Sequence, residues 1–312
     1  MSTVVNVLCA RVRMEEKWMI EALAEAGVPA RQLPPSDSPL PVGPVPAEPL
    51  ATQVVGGDAA EVSRVIIDRC ADRIVAGAIL PVLRSLGITV IDGGLAAAGT
   101  RLSVATALAV AGIPRPATLL VTSEDSGLEA VSQLGYPATL LPLDFGLTEM
   151  PFMDRDIAEA VLEHREVLGG SRSSVALIQS GVCHDAARVD LLVSGGKVVA
   201  MSGAGAGDIS LDRAFEIAEN TASVLGASLL GVKVVSSNQG LVVWDVNPVP
   251  DFRTLAAIGE RSIATEIAAN VAARLTEIAA GPSVLNGHAL LAPFGFGNIL
   301  GREVSDGVVL SA

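Results

Sequence analysis

Lysine is scarce in this sequence: only Lys17, Lys197 and Lys233 occur among 312 residues. Acidic residues outnumber lysine and arginine by 34 to 21, so the formal net charge is −13 at pH 7. Nucleic acids and anionic membranes both favour basic surfaces, and this charge therefore argues against either as a partner. It equally disfavours a strongly acidic protein partner. Any role that needs a lysine must fall on one of these three residues.

Cysteine, histidine and aromatic residues are also few. The three cysteines and three histidines show no spacing typical of a metal site, so we expect reduced thiols and no zinc centre. Aromatic residues make up 3% of the chain, while half of the chain is apolar. The core must therefore be built from Ala, Val, Leu and Ile, and 312 residues suffice for two or three compact domains.

Long hydrophobic runs are missing as well. Arg11 and Arg13 interrupt the early apolar run, so we expect no signal peptide. The longest uncharged stretch, residues 281–301, contains five glycines and two prolines, which makes it a poor membrane-spanning helix. We therefore expect a soluble cytoplasmic protein without a membrane partner.

Strand and helix patterns alternate in the N-terminal part of the sequence. A buried strand and an amphipathic helix that ends at Gly27 are followed by a proline-rich loop at residues 34–49. A second strand, a helix that contains Pro81 and a third strand come next. This order predicts an N-terminal parallel α/β domain over residues 1–94.

Two further parts follow in the sequence. Residues 95–173 alternate helical and extended segments and predict a central subdomain. From residue 174, antiparallel strands with a Gly-Gly hairpin turn and two helices predict a C-terminal subdomain over residues 174–281. Residues 282–312 form a tail of unknown role. The expected fold class is α/β, with an α+β C-terminal part.

The stretch GLVVWDVNPVPDF, residues 240–252, suggests a metal site. Asp245 and Asn247 are two residues apart near the end of an apolar strand, so their side chains point to the same face. A carboxylate and an amide oxygen placed in this way could together hold a hard cation such as magnesium.

Several local motifs together resemble those of one enzyme family. RVRMEEK, AGIPRPAT, GYPATLLPL, LEHREVLGG and DVNPVPDF are similar to motifs of the lysine-biosynthesis ligases of the ATP-grasp superfamily, which are related to RimK-type ligases. The resemblance runs from about residue 4 to residue 275. It implies an ATP-grasp fold, in which two subdomains grip MgATP. A carboxylate then attacks the γ-phosphate to give an acyl phosphate, and an amine displaces the phosphate.

The resemblance also identifies nucleotide and substrate positions, several of which carry other residues here. The family's phosphate lysine corresponds to Leu141, and its hinge acid on the adenine or ribose side corresponds to Ser180. An earlier lysine corresponds to Arg101, which keeps a cation. Arg188 matches an arginine of the family's substrate and phosphate cluster and is the candidate catalytic residue, although Ala186 replaces the aspartate before it.

The family's metal ligands are replaced in part. Asp245 and Asn247 take the positions of a glutamate and an asparagine ligand, whereas Lys233 replaces the third ligand, an aspartate. Two unit charges about 4 Å apart repel by about 4 kcal/mol at an effective dielectric of about 20, and a divalent ion beside a lysine doubles this energy. We therefore expect the Lys233 ammonium to sit where magnesium would, paired with Asp245 and hydrogen-bonded to Asn247. An ordinary solvated strand lysine is the alternative.

These replacements lead to the hypothesis of a degenerate ligase with weak or no activity that serves as a structural or regulatory subunit. ATP and magnesium are its cofactors by resemblance, and the replaced positions argue against both. The expected assembly is a homo-oligomer or a hetero-oligomer with an active ligase paralogue, while a carrier protein is disfavoured by the net charge. Two alternatives stay open: an active ATP-dependent carboxylate–amine ligase of amino-acid biosynthesis with a rearranged nucleotide site, and a small-molecule binding module.

Overall fold

The structure, a computed structural model, describes residues 4–35, 40, 42, 65–169, 173–182, 186–203 and 209–280. Most of the proline-rich segment 34–49 and all of the predicted tail 282–312 lie outside these residues. Of the helices within the described ranges, none combines the length and the apolar composition that a bilayer crossing requires.

The N-terminal part is a parallel sheet with flanking helices. Its elements are β1 (Val5–Leu8), α1 (Met14–Glu25), β2 (Ala30–Leu33), β3 (Val65–Asp68), α2 (Arg73–Ser85) and β4 (Thr89–Ile91). The strand order is β2-β1-β3-β4, and all pairs are parallel. The central strands β1 and β3 are buried along their whole length, which is typical of parallel sheets. The sequence pattern does not reveal β2, because the segment ARQL carries two polar residues.

Two helices lead from this sheet into the middle of the chain, α3 (Leu95–Ala98) and α4 (Arg101–Val110). Thr100 caps α4, since its side chain accepts a hydrogen bond from the backbone N–H of Ser103, and the Ser103 hydroxyl accepts one from the backbone N–H of Thr100. This reciprocal cap fixes Arg101 as the first residue of the helix.

The middle part is an antiparallel four-stranded sheet with two helices. Its elements are β5 (Thr118–Val121), α5 (Glu124–Leu134), β6 (Ala138–Pro142), β7 (Met150–Phe152), α6 (Arg155–Leu168) and β8 (Ala176–Ser180). The strand order is β5-β8-β6-β7. Because β8 pairs with both β5 and β6, this sheet continues past residue 173, where the sequence analysis placed the boundary to the C-terminal subdomain.

The C-terminal part is an antiparallel sheet with two long helices. Its elements are β9 (Arg188–Ser194), β10 (Lys197–Ser202), α7 (Leu211–Leu225), β11 (Leu229–Ser237), β12 (Gly240–Asn247), β13 (Ala256–Ala257) and α8 (Ile263–Ala279). The strand order is β12-β11-β9-β10-β13. The Gly-Gly turn between β9 and β10 is confirmed, with both glycines at positive φ. The expected fold class, α/β with antiparallel C-terminal strands, is confirmed as well.

Apolar side chains of each sheet pack into a cluster with the helices that cover it. One cluster joins α4 and α7 to β9, β11 and β12 and consists mainly of Val, Leu, Ile and Ala, as the composition predicts. Gly94, at φ +58°, connects the N-terminal sheet to this cluster, because its Cα lies against the backbone at the end of α7. A Cβ at this position would lie 2.0 Å from the carbonyl oxygen of Leu225. The close approach leaves room only for glycine.

Candidate functional site

The three sheets meet around a cavity of about 490 Å3. Strands β9, β11 and β12 form its floor, and the loops that follow β3, β6 and β12 contribute to its walls. This volume falls within the range of small-molecule sites, about 300–1,000 Å3. The charged residues that line it are Arg13, Arg73, Arg101, Asp190, Lys233, Asp245 and Asp251.

The floor of the cavity carries three charged residues side by side. Lys233 on β11 lies opposite Asp245 on β12 and opposite Asp190 on β9 in the strand register. Residues directly opposite in antiparallel strands project to the same face of the sheet, so the three side chains stand in a row. Asp190 was not among the residues selected from the sequence, although its position two residues after Arg188 on the same strand places both on one face.

Arg101 extends this row of charges beyond Asp245. Its Nε and Nη2 atoms donate hydrogen bonds of 3.2 Å each to Oδ2 of Asp245. Its Nη1 atom donates to the carbonyl oxygens of Pro142 and Asp144, at 2.9 Å each. The guanidinium also lies over the ring of Phe145, 5.2 Å from the ring centroid. Every nitrogen of the Arg101 guanidinium therefore donates a hydrogen bond to a protein group.

Asp245 is mostly buried, and a second arginine lies close to it. Burial raises the pKa of the Asp245 carboxyl, and the charge and hydrogen bonds of Arg101 offset this only in part. Arg115 lines a narrow cleft together with Arg101 and Asp245, and its Nη2 atom donates to Oε1 of Gln179. Burial lowers the pKa of Arg115, and the charge of Asp245 opposes that change. Positive charge thus approaches Asp245 from both arginines as well as from Lys233.

The structure corrects the expected partner of Lys233. Within the described residues, no carboxylate oxygen lies within 4.0 Å of the Lys233 ammonium, and the ion pair of Asp245 is formed with Arg101. The side-chain oxygen of Asn247 accepts a hydrogen bond of 2.9 Å from the backbone N–H of Val249 and does not bond to Lys233. This pairing follows from geometry, since Arg101 at the helix start can place two nitrogens on one carboxylate oxygen.

These residues do not fit a magnesium ion. Of the predicted ligands, Asp245 is bonded to Arg101, Asn247 is used in a turn, and the third position holds a lysine. Among the described residues, no three His, Cys, Asp or Glu side chains are grouped so that they could hold a metal. Magnesium prefers several oxygen ligands with near-octahedral geometry, and a ring of cations cannot supply them.

The other predicted site residues lie outside the cavity lining. Leu141 is 1% exposed in β6 and packs beside Arg101, Arg115 and Asp245. Ser180 ends β8, where its backbone N–H donates to the carbonyl of Ala117. Arg188 begins β9 and is exposed. The structure therefore brings Arg101, Lys233, Asp245 and Asn247 together on the cavity, places Leu141 beside Arg101 and Asp245 in an adjoining narrow cleft, and leaves Ser180 and Arg188 outside both.

Direct hydrogen bonds also join the middle sheet to the C-terminal sheet. A bulge in the pairing of β11 and β12 leaves Trp244 without a partner on β11. Its backbone carbonyl accepts a hydrogen bond from Nε2 of Gln179 on β8, and its indole Nε1 donates to Glu149, at 3.3 and 3.2 Å respectively. The backbone N–H of Val243 donates to the carbonyl of Pro114. Polar groups between the two sheets are thus bonded to each other.

A buried charge cluster fixes the opposite wall of the cavity. Arg69 and Glu16 are both inaccessible to solvent and form an ion pair of 2.9 Å, and Arg69 also donates to the carbonyl of Pro250 in the loop after β12. Arg13 donates three further hydrogen bonds to Glu16, two from its guanidinium and one from its backbone N–H. Burial acts to raise the pKa of Glu16, but the hydrogen bonds from Arg13 and Arg69 outweigh it, and the pKa is lowered. Glu16 lies in the first turn of α1, and only the fold reveals that it anchors the distant loop after β12 through Arg69.

The sequence and the fold are similar to those of several known ligases and ATP-grasp proteins. No family model matches the sequence. Glutamate–LysW ligase ArgX from Sulfolobus acidocaldarius is 23% identical over 212 residues, which cover 61% of this chain and 75% of the relative. The α-aminoadipate–LysW ligase LysX of the same organism is 22% identical over 185 residues, which cover 54% of this chain and 67% of the relative. Among solved structures, a RimK-domain ATP-grasp protein from Sphaerobacter thermophilus aligns with a TM-score of 0.68 and 26% identity, over 86% of this chain and 99% of that one.

Proposed function

Because this chain belongs to the LysX/RimK-like family of ATP-grasp proteins, we propose that it is a ligase homologue that does not activate carboxylates with MgATP and serves instead as a structural or regulatory subunit. The observation that carries the proposal is the contact between Arg101 and Asp245. In this contact an expected metal ligand, Asp245, and an expected cofactor-binding cation, Arg101, are bonded to each other.

The nucleotide side of the site supports the same proposal. A phosphate-binding lysine is missing at Leu141, and this position is nearly inaccessible and lies beside two cations, Arg101 and Arg115. The hydrogen bonds of Trp244 with Gln179 and Glu149 run between the middle and C-terminal sheets, between which the resemblance expects the nucleotide. A ligand in this position would have to break these bonds before it gained its own.

An active ligase is the second candidate, and the open cavity favours it. About 490 Å3 remain beside Lys233 and Asn247, enough for a small substrate. The relatives ArgX and LysX are named as ligases of LysW with glutamate and with α-aminoadipate, respectively. By analogy, this candidate would join a small amino acid to a carrier protein. The net charge of −13 disfavours an acidic carrier.

Phosphate release in the presence of ATP, magnesium, candidate acids and candidate amines tests the proposal. We expect the purified chain alone to release no more phosphate than a blank without protein. Turnover at about 1 s⁻¹ or faster, which is ordinary for enzymes, would favour the active ligase instead. Co-expression with an intact homologue encoded nearby, followed by size-exclusion chromatography, tests the subunit role, and co-elution of the two chains is the expected result.

A further inference from the structure

Four charges of alternating sign cross the floor of the cavity. The order is Asp190 on β9, Lys233 on β11, Asp245 on β12 and Arg101 at the start of α4. The register places the first three on adjacent strands, and the hydrogen bonds of Arg101 add the fourth. No single element contains this row, so it exists only in the folded chain.

The positive charges around the cavity differ in whether a carboxylate already neutralises them. Arg13 is bonded to Glu16, Arg73 to Asp68, and Arg101 to Asp245. In the part of the chain that the structure describes, Lys233 has no carboxylate oxygen within 4.0 Å, and Asp190 has no cation within that distance. The strand register thus places Lys233 between two acids, and Lys233 forms a close ion pair with neither of them.

We infer that Lys233 is a built-in substitute for a divalent cation and is the main barrier to metal binding in this cavity. Its charge lies between the two aspartates that flank it, in the place that a bound ion would take. An acid at position 233 would instead place three carboxylates on neighbouring strands beside the amide of Asn247. Oxygen ligands in such a cluster are what magnesium and manganese bind.

The inference rests on the proposed function, because it takes the cavity floor as the equivalent of the family's metal site. It goes further in assigning the loss of metal binding to one residue. Arg101 contacts only Oδ2 of Asp245 in the hydrogen bonds it donates to that carboxylate, so the second oxygen is not taken up by the guanidinium. A substitution at Lys233 is therefore expected to give measurable metal binding even though Arg101 stays bonded to Oδ2 of Asp245.

Manganese binding measured by electron paramagnetic resonance on the full chain tests the inference without any nucleotide. The wild-type chain is expected to bind no Mn2+ at millimolar concentration. The Lys233→Asp variant is expected to bind Mn2+ at least tenfold more tightly than the wild type, and Lys233→Asn, which only removes the charge, is expected to show a smaller gain. Adding Asp245→Asn to Lys233→Asp is expected to abolish the gain.

Lys197→Asp is the matched control. Lys197 begins β10, is exposed and pairs with Glu219, so its substitution makes the same charge change beside an acid but outside the cavity. Equal Mn2+ binding by the Lys197→Asp and Lys233→Asp variants would overturn the inference, as would wild-type binding that Asp245→Asn removes. Unchanged binding in both the Lys233→Asp and Lys233→Asn variants would also overturn it.

The outcomes separate this inference from the proposed function. If the wild-type chain bound MgATP but no free Mn2+, and Lys233→Asp gained Mn2+, the proposed function would fail and the inference would stand. If the wild-type chain bound neither ligand and Lys233→Asp gained nothing, the inference alone would fail.

Discussion

The guanidinium of Arg101 joins the middle sheet to the C-terminal sheet by bonding to Asp245. One edge of the guanidinium donates to the carbonyls of Pro142 and Asp144 at the end of β6, and the other donates to the Asp245 carboxylate on β12. Both side chains are largely buried, at 8% and 17% exposure. A protein side chain therefore makes the connection between the two sheets that the resemblance assigns to a nucleotide and its metal.

Replacing Arg101 with Met is expected to destabilise the chain by about 3 kcal/mol, because it leaves the Asp245 carboxylate buried without its partner. Urea denaturation measures the change in unfolding free energy. Arg213→Met is the control, since Arg213 forms an exposed pair with Glu216 on α7 and its loss is expected to cost less than about 0.5 kcal/mol. The Arg101→Met, Asp245→Asn double variant is expected to regain part of the loss. Equal stability of the two arginine variants would show that the Arg101 contact is dispensable.

Restoring lysine at position 141 is expected to destabilise the chain without restoring nucleotide binding. Leu141 is 1% exposed, so the ammonium of Leu141→Lys would be buried beside Arg101 and Arg115. We expect a loss of about 3 kcal/mol or more. Leu141→Met, which conserves volume, is the control and is expected to cost less than about 1.5 kcal/mol. Thermal unfolding with and without MgATP measures both effects, and a nucleotide-dependent rise in melting temperature for Leu141→Lys would contradict the expectation.

Asp92 gives the stability of the chain a defined pH dependence. Burial raises the pKa of Asp92 from 3.8 to about 6, and its pairing with Arg84 opposes this only in part. Between these two values the folded state holds the proton more tightly than the unfolded state, so the unfolding free energy falls as pH rises from about 4 to about 6. The loss through this group is about 3 kcal/mol at most and is complete above about pH 7.

Urea denaturation of the wild type and of Asp92→Asn between pH 4 and pH 7 measures this contribution. The difference in unfolding free energy between wild type and variant is expected to shrink, or to change sign, as pH rises through this range. A difference that is independent of pH would mean that Asp92 titrates alike in the folded and unfolded chain.

Gly94→Ala is expected to be much more harmful than Gly87→Ala. Both glycines have positive φ, at +58° and +75°, so both substitutions carry a backbone cost of about 1–3 kcal/mol. Only at Gly94 would the new Cβ collide with backbone atoms, whereas nothing lies within 4 Å of the position at Gly87. We expect a total loss above about 3 kcal/mol for Gly94→Ala. Thermal denaturation compares the two, and similar melting temperatures would disprove the close approach to α7.

Local sequence patterns were sufficient to predict most elements of the fold. Periodicity and turn residues predict α1, the two C-terminal hairpins and the final helix, and the structure confirms them. Local patterns do not predict short elements of mixed composition, such as β2 and β7, because these strands depend on pairing with their neighbours. The sheet to which β8 belongs could not be read from its own residues either, since pairing partners depend on the whole topology.

The site was predictable to a smaller extent. The resemblance identified Arg101, Lys233, Asp245 and Asn247, and the structure places all four on one cavity. It did not identify which cation bonds to Asp245, because that choice depends on how the start of α4 lies against β12. Asp190 was missed for a related reason, since its place beside Lys233 is set by strand register and not by distance along the chain.

Isothermal titration of the purified wild-type chain with MgATP tests the central claim most directly. The lysine at position 233, the arginine bonded to Asp245 and the buried leucine at position 141 together lead to the expectation of no binding heat at nucleotide concentrations up to about 1 mM. A dissociation constant near micromolar, which corresponds to about 8 kcal/mol of binding free energy, would contradict it.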